Sequence, residues 1–381
     1  MRAPAVPDGN VPDTVAKVIM NACDSALSRM PDEGFWAKQR VFLTGHSGFK
    51  GSWLSLWLER LGAEVYGFSL APETQPNLFG LLRPFQRACS EFGDVCDLSA
   101  LKRAIDSFQP TVAIHMAAQA LVRRSYREPL YTFAVNVMGT GNILEALREI
   151  PALKAVVVIT TDKVYRNLEN GNAFVESDPL GGHDPYSASK AAAELLVSSW
   201  AQSFFGQRGV AVATVRAGNV IGGGDWSENR LIPDVWRAVQ GGKPIELRYP
   251  RAIRPWQHVL EPLAGYLAYA EDMASGRSGL PESLNFGPDA QGTLSVSQVA
   301  EIISKRLGKA EGWVLSEDPV FAEMQTLALD ATLATETLHW RPKLSTREAL
   351  EWTAEWYQRV DAGESARTIT TEQISRYVQL P

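Results

Sequence analysis

Cysteine is scarce: Cys23, Cys89 and Cys96 are the only three in 381 residues, and no two form a C-x-x-C pair. An odd, scattered set supports neither a disulfide framework nor a zinc site, and it fits a reducing cytoplasm. Long hydrophobic runs are also missing. No stretch approaches the roughly 20 apolar residues that a helix needs to cross a bilayer. Asp8, Asp13 and Asp24 stand where a secretory or transit signal avoids acids. The expected location is therefore cytoplasmic, with no membrane partner. Positive charge is not in excess either, since 37 Lys+Arg against 43 Asp+Glu leaves a net charge of −6. That balance argues against nucleic acid or an anionic surface as a partner, although a small anionic ligand can still be held by clustered arginines. No metal-ligand set, internal repeat or low-complexity tract is visible.

What remains is the composition of an ordinary globular chain, 45% hydrophobic and 21% charged, long enough for two lobes. Residues 1–34 form a Pro- and Asp-punctuated extension with one possible amphipathic helix from Val15 to Met30, and are expected to be dispensable. From Arg40 short apolar runs alternate with helical periodicity. Strands are expected at 41–43, 64–68, 111–115, 155–160 and 210–216, with helices over 49–61, 130–149 and 185–205. Such alternation predicts an α/β fold, a doubly wound parallel sheet of Rossmann type, with ligands at the carboxyl ends of the strands. Past Arg216 the pattern loosens around Gly222-Gly223-Gly224 and Gly241-Gly242. The expected division is a dinucleotide-binding domain over 35–216 and, over 217–381, a smaller substrate lobe with segments returning to the first domain.

Three segments carry the chemistry. In Thr44-Gly-His-Ser-Gly-Phe-Lys-Gly51, glycines 45, 48 and 51 lie between a strand and a helix, where backbone can approach a pyrophosphate and helix N–H groups are free. Asp94 could hold the adenine amino group. The position where an acid would clamp the ribose reads Gly67-Phe68-Ser69, so this position does not secure NAD, and since Lys50 could tolerate a 2′-phosphate, NADP stays open. Tyr186 and Lys190 are one helical turn apart, so an ammonium could lower the phenol's pKa and make Tyr186 a base for alcohol oxidation. Thr160-Thr-Asp-Lys163 adds a carboxylate and an amine that hydride transfer alone does not need, which suggests a further elimination step.

With these segments and His115-Met-Ala-Ala118 in order, the chain resembles the extended short-chain dehydrogenase/reductase superfamily. Thr44 to Leu58, Thr161-Asp-Lys163, Arg216 to Trp226 and Arg254 to Leu267 resemble, more narrowly, the CDP-glucose 4,6-dehydratases. The resemblance implies an NAD-using, homodimeric or homotetrameric hydro-lyase acting on CDP-glucose, with a product that feeds deoxyhexoses of surface polysaccharide such as lipopolysaccharide. It implies that Thr161, Asp162, Lys163, Tyr186, Lys190 and Asn136 are catalytic: Tyr186 takes the O4 proton, Asp162 protonates the leaving C6 hydroxyl and Lys163 is the base at C5. It places Phe49, Val95, Ala117, Ala118 and Thr160 beside Gly45, Gly48, Gly51, Asp94, Tyr186 and Lys190 on the dinucleotide. Arg216, Asn219, Arg230 and Arg254 are implied for the substrate, with Arg248 and Arg251 as lesser candidates. A nucleotide-sugar 4-epimerase, or a non-catalytic NAD-sensing scaffold, is the alternative.

Overall fold

The structure is a computed structural model and describes residues 28–84, 89–289, 293–308, 312–317 and 326–381. Seven parallel strands form the main sheet: β1 (Arg40–Thr44), β2 (Glu64–Ser69), β3 (Cys89–Phe92), β4 (Val112–His115), β5 (Ala155–Ile159), β6 (Ala211–Ala217) and β7 (Ser283–Phe286). Their order is β7-β6-β5-β4-β1-β2-β3. The chain order therefore reverses between β1 and β4, and the crevice that opens at such a reversal is where a doubly wound sheet takes its ligand. Every residue of β5, Ala-Val-Val-Val-Ile, is buried, as expected for a central strand covered on both faces.

The expected strands and helices are present with small shifts at their ends. Two strands had not been assigned. β3 was passed over as a short segment, and its alternation is weak because most of it is exposed. β7 lies far along the chain, pairing with β6 in the register Ser283↔Thr214 to Phe286↔Ala217. The helix expected over 130–149 is divided: Pro129–Phe133 leads into a π-turn at Ala134–Met138 and then a regular helix.

Helices α1 (Phe49–Arg60) and α2 (Pro185–Trp200) deliver the glycine turn and the Tyr-Lys pair. Helix α3 (Leu260–Ala274) is buried along its whole length. It joins α1, α4 (Thr346–Asp361) and α5 (Ala366–Gln379) in one apolar cluster that includes Trp36, Trp53, Trp57, Trp340 and Trp356. The C-terminal helices thus pack on the first lobe. The helix expected over Val15–Met30 lies outside the described residues except for its last three positions, which are not helical. Ser28 and Arg29, inside the expected extension, are tied to the body. Ser28 Oγ donates to Arg341 O at 2.8 Å, and Arg29 bridges Glu271 and Asp272 at 2.6 Å each.

Candidate active site

The glycine turn is held open by sterics. Gly45 has φ +75°, and a Cβ there would lie 2.7 Å from Ala117 N; a Cβ on Gly51 would lie 2.0 Å from Gly45 O. Only glycine fits both positions, so α1 starts hard against the β1 end. Thr44 Oγ1 contacts His115 Nδ1 at 2.7 Å and accepts from Ala117 N at 3.2 Å, pinning the β4 exit beside the turn. Gly45, Gly48, Phe49, Gly51, Asp94, Val95, Ala117 and Ala118 all line one groove of about 670 Å³. The groove fits a dinucleotide with its pyrophosphate at the start of α1.

No acid closes the far end of β2. The His46 imidazole fills that space, contacting Ser90 Oγ at 2.7 Å and Ser69 Oγ at 3.0 Å, and burial lowers its pKa to about 4. Ser47 and Ser69 line the groove on this side, followed by Glu73, Thr74 and Asn77. Lys50 does not point here, contrary to expectation. Its side chain runs to the opposite end of the groove, where it lies over the Tyr266 ring, 5.9 Å from the centroid.

A second cavity, of about 320 Å³, opens beyond that end and is lined by Thr160, Thr161, Lys163, Tyr186, Asn219, Arg230 and Arg254. The backbone leaves β5 as a short turn over Asp162–Val164, with Thr161 as its cap. Asp162 is fully buried. Its Oδ1 accepts from Thr161 Oγ1 at 3.0 Å and from Lys163 Nζ at 3.1 Å. Its Oδ2 is buried with no hydrogen-bond partner. A bare carboxylate oxygen of this kind costs free energy unless a ligand uses it. Asp184 caps α2 by accepting from Ser187 N at 3.0 Å and lines the cavity beside Tyr186.

The Tyr-Lys pair behaves otherwise than its spacing suggests. Burial pushes the Tyr186 phenol up to about 12, with Asp162 and Asp184 adding; a hydrogen bond from Thr161 and the charge of Arg230 work against this. Lys190 donates instead to Ile159 O at 3.0 Å, and burial lowers its ammonium to about 8. It lines neither cavity.

Like Asp162 and Lys190, two further expected site residues, Arg216 and Asn136, line neither cavity. Arg216 makes no wall of either cavity. Its Nε and Nη2 donate to Glu194 at 2.9 Å each, and Nη1 donates to Tyr165 OH at 2.8 Å. Glu194 also accepts from Thr160 Oγ1 at 2.5 Å and Thr214 Oγ1 at 2.6 Å, so this buried network ties α2 to β5 and β6. Asn136 is spent as well: Nδ2 donates to Gln119 O at 3.0 Å and Ser189 Oγ at 2.9 Å, and Oδ1 accepts from Gln119 N at 2.8 Å. It joins the π-turn to α2 and holds the loop after β4. Both are positioning residues.

On the substrate side Asn219 Oδ1 is buried and unpartnered, and Arg230 is bonded to Asp225 at 2.9 Å. Arg248 and Arg254 also line the cavity, while Arg251 is exposed and outside it. Arg123 is a wall residue that sequence reasoning missed, held by Asn229 Oδ1 at 3.0 Å. The Arg123-Arg-Ser-Tyr-Arg127 cluster was the signal available. Four guanidiniums in one cavity suit a diphosphate. Among the described residues no three His, Cys, Asp or Glu side chains could hold a metal ion, and no helix is long and apolar enough to cross a membrane.

Comparison with known proteins agrees with this geometry. The chain is 42% identical to the CDP-glucose 4,6-dehydratase of Salmonella typhimurium, over 92% of this chain and 99% of that one. Among solved structures, a Thermus thermophilus UDP-glucose 4-epimerase in complex with NAD aligns with TM-score 0.72 at 26% identity, covering 84% of this chain and 99% of that one. A Bacillus anthracis dTDP-glucose 4,6-dehydratase in complex with NAD shares the fold, with TM-score 0.69 at 24% identity over 85% and 97% of the two chains. Residues 41–287, from the first strand to the end of the seventh, match the NAD dependent epimerase/dehydratase family. With the glycine groove, the Tyr-Lys pair and that match in agreement, the chain belongs to the NAD dependent epimerase/dehydratase family.

Proposed function

We propose that this protein is a CDP-glucose 4,6-dehydratase, converting CDP-glucose to CDP-4-dehydro-6-deoxyglucose with loss of water. The observation that carries the choice within the family is Asp162: a buried carboxylate with one unpartnered oxygen, lying behind the wall and paired to Lys163, which lines that wall with Tyr186. A 4-epimerase needs an O4 base but no acid and base for C6 and C5. The 42% identical relative carries the same name as this reaction.

NAD, when bound, supplies the acceptor for the C4 hydride and its return to C6. Gly45, Gly48, Gly51, Asp94, Val95, Ala117 and Ala118 would hold it along the groove, and Lys190 would reach its ribose. Tyr186 takes the O4 proton, aided by Thr161, whose hydroxyl can follow the developing charge on that oxygen. A proton passing across the 3.1 Å contact from Lys163 to Asp162 turns an ion pair into a neutral acid and base. Asp162 then protonates the leaving O6 while Lys163 removes the C5 proton and later returns it. The proton that Tyr186 took from O4 finally replaces the one that Lys163 passed through Asp162 to the leaving water, so each group returns to its starting charge. Arg123, Arg230, Arg248 and Arg254 would hold the diphosphate end, with Asn219 on the sugar side.

The test is hydride bookkeeping. CDP-glucose carrying deuterium at C4 is expected to give product labelled at C6, with no net NADH. Deuterium lost to water, or stoichiometric NADH release, refutes the dehydratase reading. We also infer self-association as a homodimer or homotetramer, because Leu130 (85% exposed), Met138 (60%) and Leu195 (65%) leave apolar surface on neighbouring helices. Sedimentation equilibrium showing a monomer would overturn it.

A further inference from the structure

The two cavities meet at a seam, and six residues line both: Phe49, Lys50, Ala120, Leu121, Asp225 and Arg230. A dinucleotide with its pyrophosphate at the glycine turn and its reacting ring within hydride reach of a sugar beside Tyr186 must place that ring at this seam. Two cations stand there. Arg230 is neutralised by Asp225 at 2.9 Å. Lys50 has no ion pair and no hydrogen bond among the described residues, and its Nζ rests over the Tyr266 ring, whose own hydroxyl is buried without a partner.

The charged and titratable neighbours of Lys50 come from every side. Asp162 and Lys163 follow β5, Tyr186 and Lys190 lie on α2, Arg230 faces it from the substrate lobe, and Tyr266 lies on α3. Asp162 favours the ammonium; Arg230, Lys190 and Lys163 oppose it, and burial outweighs all of them, bringing the group down to about 7. An oxidised nicotinamide ring carries a positive charge and the reduced ring carries none. A second cation in contact with the oxidised ring in a water-poor seam is unfavourable, while the reduced ring is indifferent to it.

We propose that Lys50 is a redox-linked proton site, neutral while the oxidised dinucleotide fills the seam and protonated when the ring there is reduced or absent. The balance is simple. Binding of the oxidised form expels one proton from the Lys50 ammonium to solvent; reduction of the ring lets Lys50 take one proton back, and only its N–H bond changes. The site would thereby weaken the hold on oxidised dinucleotide as pH falls.

The inference rests on the glycine groove being a dinucleotide site, and its test uses no sugar, so it can fail independently of the dehydratase reading. Titration calorimetry of the full chain with NAD and, separately, NADH is run from pH 6 to 8 in buffers of different ionisation heat. Expected for NAD is release of nearly one proton per site at pH 6, fading by pH 8, with affinity rising by up to about tenfold over that range. NADH binding is expected to release none. Lys50→Met is expected to abolish the release and raise NAD affinity at pH 6 by up to about tenfold, with NADH affinity unchanged. The wild-type contrast decides the matter even if the variant does not fold: equal release with both forms, or none with either, overturns the proposal. Release that persists in a folded Lys50→Met protein also overturns it, and would assign the proton to Lys190.

Discussion

At the scale of single residues, the site separates groups that face ligand from groups that hold the wall in place. Lys163 lines the cavity, with the buried Asp162 paired behind it, and in the proposed reaction both are of the first kind. Lys163→Ala is expected to leave O4 oxidation intact, so that the 4-keto sugar and bound NADH accumulate as a transient at 340 nm while water loss falls about 10²-fold or more. Elimination at a near-normal rate would return Lys163 to a plain ion-pair role. Arg216 and Glu194 are of the second kind, with side chains 5% and 4% exposed. Removing one partner strands a buried charge, at a cost of about 3–5 kcal/mol. Arg216→Ala is therefore expected to lower Tm sharply, whereas Arg248→Ala, at a half-buried position on the cavity wall, is expected to raise KM for the nucleotide sugar with a much smaller change in Tm. A thermal melt and a substrate titration on the two variants separate the roles, and the reverse pattern would restore Arg216 to the substrate.

At the scale of elements, the segment before β1 matters more than its composition suggests. Trp36 is fully buried in the main apolar cluster, and Arg29 reaches back to the end of α3 through Glu271 and Asp272. The expected dispensable stretch, 1–34, includes the Arg29 contacts but not Trp36. A chain beginning at Ser28 is expected to match full-length turnover and Tm. One beginning at Phe35 loses the Arg29 pairs and the Asp32 cap, and is expected to melt a few degrees lower, since half-buried pairs of this type contribute on the order of 1 kcal/mol. Equal Tm values for the two truncations would show that the bridges add nothing.

At the scale of the whole molecule, Glu261 joins α3 to the C-terminal helices. Its carboxylate accepts from Tyr377 OH at 2.7 Å, Leu344 N at 2.7 Å and Lys343 N at 3.0 Å, and burial still raises its pKa to about 7. A carboxyl whose pKa is higher folded than unfolded binds more protons in the native state between the two values. Its contribution therefore favours the fold at low pH and declines as pH rises from about 4.5 to about 7. Denaturant melts at pH 5 and pH 8 are expected to show a smaller difference attributable to this group in Glu261→Gln than in the wild type. An unchanged pH slope would mean that Glu261 is ionised in the fold at both values.

What the sequence determined by itself was local. A strand, a glycine turn and a helix lie within twenty residues, Thr161 to Lys163 are consecutive, and Tyr186 and Lys190 are one turn apart, so spacing alone places each group at a strand end or on one helix face. The doubly wound sheet followed from the same local alternation. Tertiary structure decided where long side chains go and what they meet. Lys50 occupies the glycine turn in sequence but extends to the seam, because α1 packs against Tyr266 from a helix two hundred residues away. Arg216 lies close in sequence to the cavity-lining Asn219 but turns to Glu194, since only the stacking of α2 on β6 creates that buried carboxylate. Tyr186 owes its raised pKa first to burial, with Asp162 adding, and not to anything its spacing from Lys190 shows. Spacing along the chain sets which face a residue shares, whereas burial and charge are sums over everything packed against it, and most of that arrives from distant sequence.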